Sequence, residues 1–113
     1  MRIFINGFGR IGRSVLRAAL LGGATDIEIA GINDIAAAEM CAYLFEFDSV
    51  FGVWHGDVRL QEGALVIDGR TIPLHRSPDI SGLELKGVDV VLECTGRADA
   101  QGLALTLASL DEM

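Results

Sequence analysis

Gly7, Gly9 and Gly12 fall in the spacing G-x-G-x-x-G, with Arg10 and Arg13 beside them, and Asp34 stands about 20 residues further on, where the dinucleotide fingerprint needs an acid. Glycines, cations and an acid in that order suit the grip of a dinucleotide. Gly7 lets the chain turn tightly out of a strand, Gly9 lets backbone approach a pyrophosphate, and Gly12 lets a helix lie close on the strand. An anion then sits on the unpaired N–H groups at the helix start, where the macrodipole is positive. Arg10 and Arg13 point the same way, because cations are disfavoured in a first helical turn unless an anion offsets them. Asp34, preceded by Asn33 at the end of a second apolar run, is placed to accept a hydrogen bond from an adenosine ribose. The same residues also fit a glycine-rich turn in an unrelated βα unit with solvated arginines. Strand, helix and acid in the required order favour nucleotide binding.

Those residues need a scaffold, and the apolar pattern supplies one. Residues 2–6 read as a strand, 10–21 as a helix stopped by Gly22-Gly23, and 28–32 as a second strand, giving a right-handed βαβ unit. A second helix is expected over 36–47, from Ala37, Met40, Leu44 and Phe47 at helical spacing, with Phe45, Phe51 and Trp54 as core or loop anchors. Runs at 58–60, 65–67 and 71–74 are separated by the hairpin turn signals Glu62-Gly63 and Asp68-Gly69. They predict an antiparallel meander whose last run is free to join the main sheet, confined to an edge by Pro73. Residues 77–87 read as a loop broken by Pro78 and Gly82. The apolar strand 88–92 leads into Cys94-Thr95-Gly96 and brings Thr95 and Gly96 near the glycine loop, since ligands of doubly wound sheets sit outside the carboxyl ends of strands. Further on, Leu103, Leu107 and Leu110 suit a helix and Leu103, Leu105 and Leu107 a strand; helix is the expectation. The fold class is α/β, a partial Rossmann fold with a mainly parallel sheet in order 3-2-1-4 and an antiparallel β-meander, in one domain over 1–113.

Half of the 113 residues are hydrophobic and only two are proline, a compact rather than a disordered profile. The net charge of −7 argues against nucleic acid or an anionic membrane as partner, and leaves Arg10, Arg13 and Arg17 as a basic island. A first strand beginning at Arg2 leaves no room for a signal peptide, and no apolar run approaches the ~18 residues of a membrane span, so a cytoplasmic protein is expected. Cys41 and Cys94 lack C-x-x-C spacing and are separated from His55 and His75, which favours free thiols over a disulfide or a metal site.

The blocks Ile5-Asn6-Gly7-Phe8-Gly9-Arg10-Ile11-Gly12-Arg13, Ile32-Asn33-Asp34, Phe47-Asp48-Ser49 and Val88-Asp89-Val90-Val91-Leu92-Glu93-Cys94-Thr95-Gly96 together resemble the N-terminal cofactor half of glyceraldehyde-3-phosphate dehydrogenase. The first block is specific to that family and its erythrose-phosphate relatives. The resemblance implies NAD as cofactor, with Gly9, Arg10 and Ile11 facing its pyrophosphate, Asp34 the adenosine ribose, Arg76 the adenine side, and Thr95 and Gly96 the passage toward the nicotinamide. A carboxylate at Asp34 also repels the 2′-phosphate of NADP. The implied full enzyme is an oxidoreductase that holds an aldehyde phosphate as a thiohemiacetal on a cysteine, passes hydride to NAD and transfers the acyl group to inorganic phosphate.

The sequence departs from the family too. The nucleophilic cysteine of the family and its histidine base have no match, and Cys94, at the end of an apolar strand, reads as a small packed residue; no catalytic residue is expected. Val50 and Phe51 stand where the family more often has Thr and His, and the resemblance fades after Gly96. Two readings stay open: the NAD-binding half of such an oxidoreductase, or a truncated, non-catalytic module that binds nucleotide or pairs with another subunit. A homo-oligomer or a partner chain supplying the missing half is expected, because the strand 88–92 reads as an apolar edge guarded only by Asp89.

Overall fold

The computed structural model describes residues 1–21, 27–78 and 80–94, with the backbone of 104–106. In chain order its elements are β1 (Arg2–Asn6), α1 (Arg10–Leu21), β2 (Glu28–Asn33), α2 (Ala38–Glu46), β3 (Phe47–Asp48), β4 (Gly52–Val53), β5 (Val58–Gln61), β6 (Ala64–Ile67), β7 (Arg70–His75), β8 (Val90–Glu93) and β9 (Ala104–Thr106), with a 3-10 turn at Ile80–Gly82. Seven strands form one sheet in the order β5-β6-β7-β2-β1-β8-β9, while β3 and β4 pair separately. The pairs β1–β2, β1–β8 and β2–β7 are parallel, so the centre of the sheet runs in the expected order 3-2-1-4. The fold is α/β, a partial Rossmann fold with antiparallel flanks.

Ile3, Phe4 and Ile5 are apolar on both faces of β1, which is what a central parallel strand requires. Ile3 and Ile5 pack with Ile29, Ile32, Leu16 of α1 and Phe45 of α2. Phe4 faces the other way, into a smaller cluster with Val88 and Val91 closed by Ile80, Leu83 and Leu85. On α2 the buried residues are Cys41 and Phe45, whereas Met40 and Phe47 of the expected stripe are exposed. Both stripes have helical spacing; Phe45 decides between them, its ring lying 6.4 Å from that of Phe8 and 5.1 Å from that of Trp54.

The meander forms as expected. Glu62 and Gly63 have φ of 51° and 79°, Asp68 and Gly69 of 50° and 83°, the two positive angles that a type I′ hairpin turn needs. Pro73 does not make β7 an edge. Its first residues pair with β6 up to Ala64↔Pro73, and its last two, Leu74 and His75, pair with β2. Pro73 sits where the strand changes partner, so its missing N–H interrupts neither ladder's continuation. Two further expectations are corrected at β9, which pairs antiparallel with β8 over Val90↔Thr106 to Leu92↔Ala104. Residues 104–106 are strand rather than helix, following the alternation of Leu103, Leu105 and Leu107, and β8 is not an open edge. The rest of the expected helix over 103–110 lies outside the described residues.

Candidate functional site

The chain leaves β1 at Gly7 with φ of 101°, a conformation open to glycine, and the Gly7 N–H donates to Asn33 O at 2.7 Å. In α1 the first bonded N–H is that of Arg13, to Gly9 O at 2.9 Å. The N–H groups of Arg10, Ile11 and Gly12 therefore head the helix without a partner among the described residues. Gly9 and Gly12 separate cleanly. Among the described residues a Cβ at Gly9 would meet only Cys94 O, at 3.7 Å, so they leave the space over the loop open. A Cβ at Gly12 would run into the carbonyl oxygen of Gly7 and lie 3.0 Å from Cγ2 of Ile5, so Gly12 is where helix and strand touch.

Asp34 follows β2 and reaches back to this loop. Its Oδ2 accepts the Phe8 N–H at 2.6 Å and its Oδ1 the Ala36 N–H at 2.8 Å. Arg76, just past β7, is exposed and its Nε donates to Ile35 O at 2.8 Å, which holds it beside the end of β2. Arg10 and Ile11 are exposed at the head of α1. The structure thus brings Gly7, Gly9, Arg10, Ile11, Gly12, Asp34 and Arg76 to the carboxyl ends of adjacent parallel strands. Thr95 and Gly96 lie outside the described residues; Cys94 before them donates its N–H to Asn6 O at 2.7 Å, which sets the end of β8 beside the end of β1.

A row of side chains crosses the same strand ends. Asn6 Nδ2 donates to Glu93 Oε2 at 2.8 Å, and Asn33 Nδ2 donates to Asn6 Oδ1 at 2.9 Å and to Ser77 O at 3.0 Å. Ser77 N returns a bond to Asn33 Oδ1 at 2.8 Å. Asn6 and Asn33 are buried, so each bond replaces water that neither amide can reach. The sequence held a signal for them: an amide closes each of two apolar runs that end at one level of the sheet.

The basic island is dismantled. Arg13 Nη1 donates to Phe8 O at 3.0 Å and its Nε lies 3.6 Å from Asp48 Oδ2, so a protein carboxylate faces its charge at the helix head. Arg17 is turned into the core, its Nη2 donating to Phe45 O at 2.8 Å and Gly52 O at 2.7 Å, its guanidinium 5.3 Å from the Phe45 ring and 5.4 Å from the Trp54 ring. Arg10 alone of the three is left exposed. Asp48 also accepts the N–H groups of Val50 and Phe51. The Phe51 and Val50 bonds hold its carboxyl below the usual 3.8, against burial and with help from Arg13 and Arg17.

Both cysteines are free. Burial pushes the Cys41 thiol up to about 11, with the Asp34 carboxylate adding to it, and burial followed by Glu93 raises that of Cys94. Such thiols stay protonated at neutral pH, the opposite of what a nucleophile requires. Among the described residues no His, Cys, Asp or Glu cluster is arranged to hold a metal ion, and no helix is long and apolar enough to cross a membrane.

Residues 1–101 match the glyceraldehyde 3-phosphate dehydrogenase NAD-binding domain. The chain belongs to that family. It is 46% identical over 98 residues to the glyceraldehyde-3-phosphate dehydrogenase of Bacteroides fragilis, a match covering 85% of the chain and 29% of the relative. The Helicobacter pylori enzyme of that name is 48% identical over 99 residues, 86% of the chain and 29% of the relative. The cytosolic one of Trypanosoma brucei brucei is 47% identical over 98 residues, with 85% and 29% covered. The chain thus spans less than a third of these relatives. NAD is the cofactor of glyceraldehyde-3-phosphate dehydrogenase NAD-binding domains, and the open space at Gly9, the unpaired N–H groups at the head of α1 and the acid at Asp34 fit it.

Proposed function

We propose that residues 1–113 act as one domain that holds NAD for a phosphorylating aldehyde dehydrogenase of the glyceraldehyde-3-phosphate type. One observation carries the reading: the acid after β2 and the glycine loop after β1 are joined directly, Phe8 N–H to Asp34 Oδ2 at 2.6 Å. In this reading Gly7 and Gly12 shape the loop and Gly9, Arg10 and Ile11 face the pyrophosphate. Asp34 accepts from the ribose, Arg76 lies on the adenine side, and Thr95 and Gly96 lead toward the nicotinamide. Bound NAD supplies the hydride acceptor, while the chain's own residues bind and orient it. The aldehyde phosphate as substrate rests on the names of relatives more than three times as long as the matched stretch, so nucleophile, base and phosphate pockets belong to a longer protein or a partner chain. Association, as a homo-oligomer or with such a partner, is supported by Tyr43, Phe47, Val50, Phe51 and Val53, which expose apolar surface on α2 and the β3–β4 hairpin. A cytoplasmic location accords with the cytosolic Trypanosoma relative.

The test is calorimetric titration with NAD, beside an assay for NADH formed from glyceraldehyde 3-phosphate and inorganic phosphate. Saturable binding without turnover is expected. A chain that binds no NAD defeats the proposal, and turnover abolished by Cys94→Ser makes that cysteine the nucleophile.

A further inference from the structure

Every member of the row lies within two residues of the proposed cofactor site: Asn6 precedes Gly7, Asn33 precedes Asp34, Ser77, which joins through its main chain, follows Arg76, and Glu93 stands two residues before Thr95. Main-chain bonds already tie these strands, at Gly7 N to Asn33 O, Asp34 N to His75 O and Cys94 N to Asn6 O. Such bonds fix register and spacing but tolerate a range of twist between neighbouring strands. The side chains add a second tie one layer behind the loop, and it has a direction. Asn33 has both amide hydrogens committed and accepts once, and Asn6 passes its own donor on to Glu93.

We infer that Asn6, Asn33 and Glu93 are positioning residues for the dinucleotide. The Asn33–Ser77 arm sets the adenine side, and the Asn6–Glu93 arm sets the gap between the glycine loop and the end of β8, across which the nicotinamide half extends. The inference rests on the glycine-loop reading of the cofactor site. Its chemistry is specific. An aspartate at position 6 still accepts from Asn33 but has no donor for Glu93, and two carboxylates then face each other at a hydrogen-bond distance of 2.8 Å. A glutamine at position 93 supplies the missing donor and restores the link with its direction reversed. By itself the glutamine still accepts from Asn6.

The experiment is calorimetry of the full chain with NAD and, separately, with AMP, which occupies only the adenosine half, on parent, Asn6→Asp, Glu93→Gln and the double variant, with melting followed by circular dichroism. Asn6→Asp is expected to weaken NAD about tenfold and AMP by less than about threefold, and the double variant to recover the NAD affinity that Asn6→Asp loses. Glu93→Leu, which leaves the Asn6 donor unpaired without adding charge, gives the same NAD-over-AMP loss and serves if Asn6→Asp does not fold. Equal losses for NAD and AMP, or a double variant that regains its melting temperature but not its NAD affinity, overturn the inference and leave the row purely structural. A parent that binds neither ligand fails the glycine-loop reading itself.

Discussion

Gly9 and Gly12 belong to one motif, and serine at each should do opposite things. At Gly12 the new Cβ meets the backbone oxygen of Gly7 and the Ile5 side chain at 3.0 Å, and neither is the free end of a flexible group. Helix and strand must separate, an overpacking penalty of about 3 kcal/mol, which serine's better helix propensity offsets by only about 0.5 kcal/mol. At roughly 4–8 °C per kcal/mol for a domain near this size, the melting temperature should fall by about 10 °C or more. At Gly9 the nearest atom among the described residues is Cys94 O at 3.7 Å, ordinary contact, and serine is at least as good a helix cap as glycine. Stability should stay within about 0.5 kcal/mol, but the side chain fills the space through which pyrophosphate reaches backbone, so NAD affinity should fall at least about tenfold. Thermal melts and NAD titrations of both variants decide it. If Gly9→Ser loses as much stability as Gly12→Ser, or keeps full NAD affinity, the division between a packing glycine and a binding glycine is wrong.

The parent should prefer NAD to NADP, and Asp34→Ala should narrow the gap by removing the repulsion while also weakening NAD about tenfold, since Phe8 N–H loses its acceptor; competitive titration with both cofactors checks this, and equal affinities in the parent refute it. Asp48 is depressed in the folded chain, so its contribution to stability is complete above the ordinary 3.8 and is lost as pH falls through its lower folded value. Asp48→Asn should therefore be less stable at neutral pH and less sensitive to acid below pH 3.8, as read from urea midpoints across that range; parallel profiles would remove Asp48 as a source of acid lability. With its pKa near 11, Cys41 carries roughly one thiolate in ten thousand at pH 7, so the native chain should react with a disulfide reagent far more slowly than the unfolded one. Rapid native labelling of either cysteine would mark a reactive thiol.

The glycine loop and Asp34 were legible because each follows from chain-local constraints: a turn, a helix start, a strand end. The two hairpins were legible for the same reason, each closed by residues that accept positive φ. Arg13 and Arg17 were misread because the partners that neutralise or bury them, Asp48, Phe45 and Trp54, arrive from later in the chain and only the folded state brings them together. Pro73 misled because edge logic assumes one partner per side along a whole strand, and β7 exchanges partners at that residue. The helix expected over 103–110 met a strand at 104–106 because a leucine spacing compatible with both periods is settled by the neighbour available, here the side of β8.

The position of β1 between β2 and β8 has a consequence for the order in which the chain can be assembled as it is synthesised. Asn6 finds Glu93 87 positions later, and at about 5–20 residues per second that is a wait of roughly 5–20 seconds. The β5–β6 and β6–β7 hairpins, closed by two-residue turns, can form within about microseconds of their emergence. β1, apolar on both faces, meanwhile has one side unpaired, so the strand that carries the glycine loop is enclosed only when β8 arrives, after β2 and β7 have emerged. During that interval it is the segment that a chaperone, or a neighbouring nascent chain, would meet first.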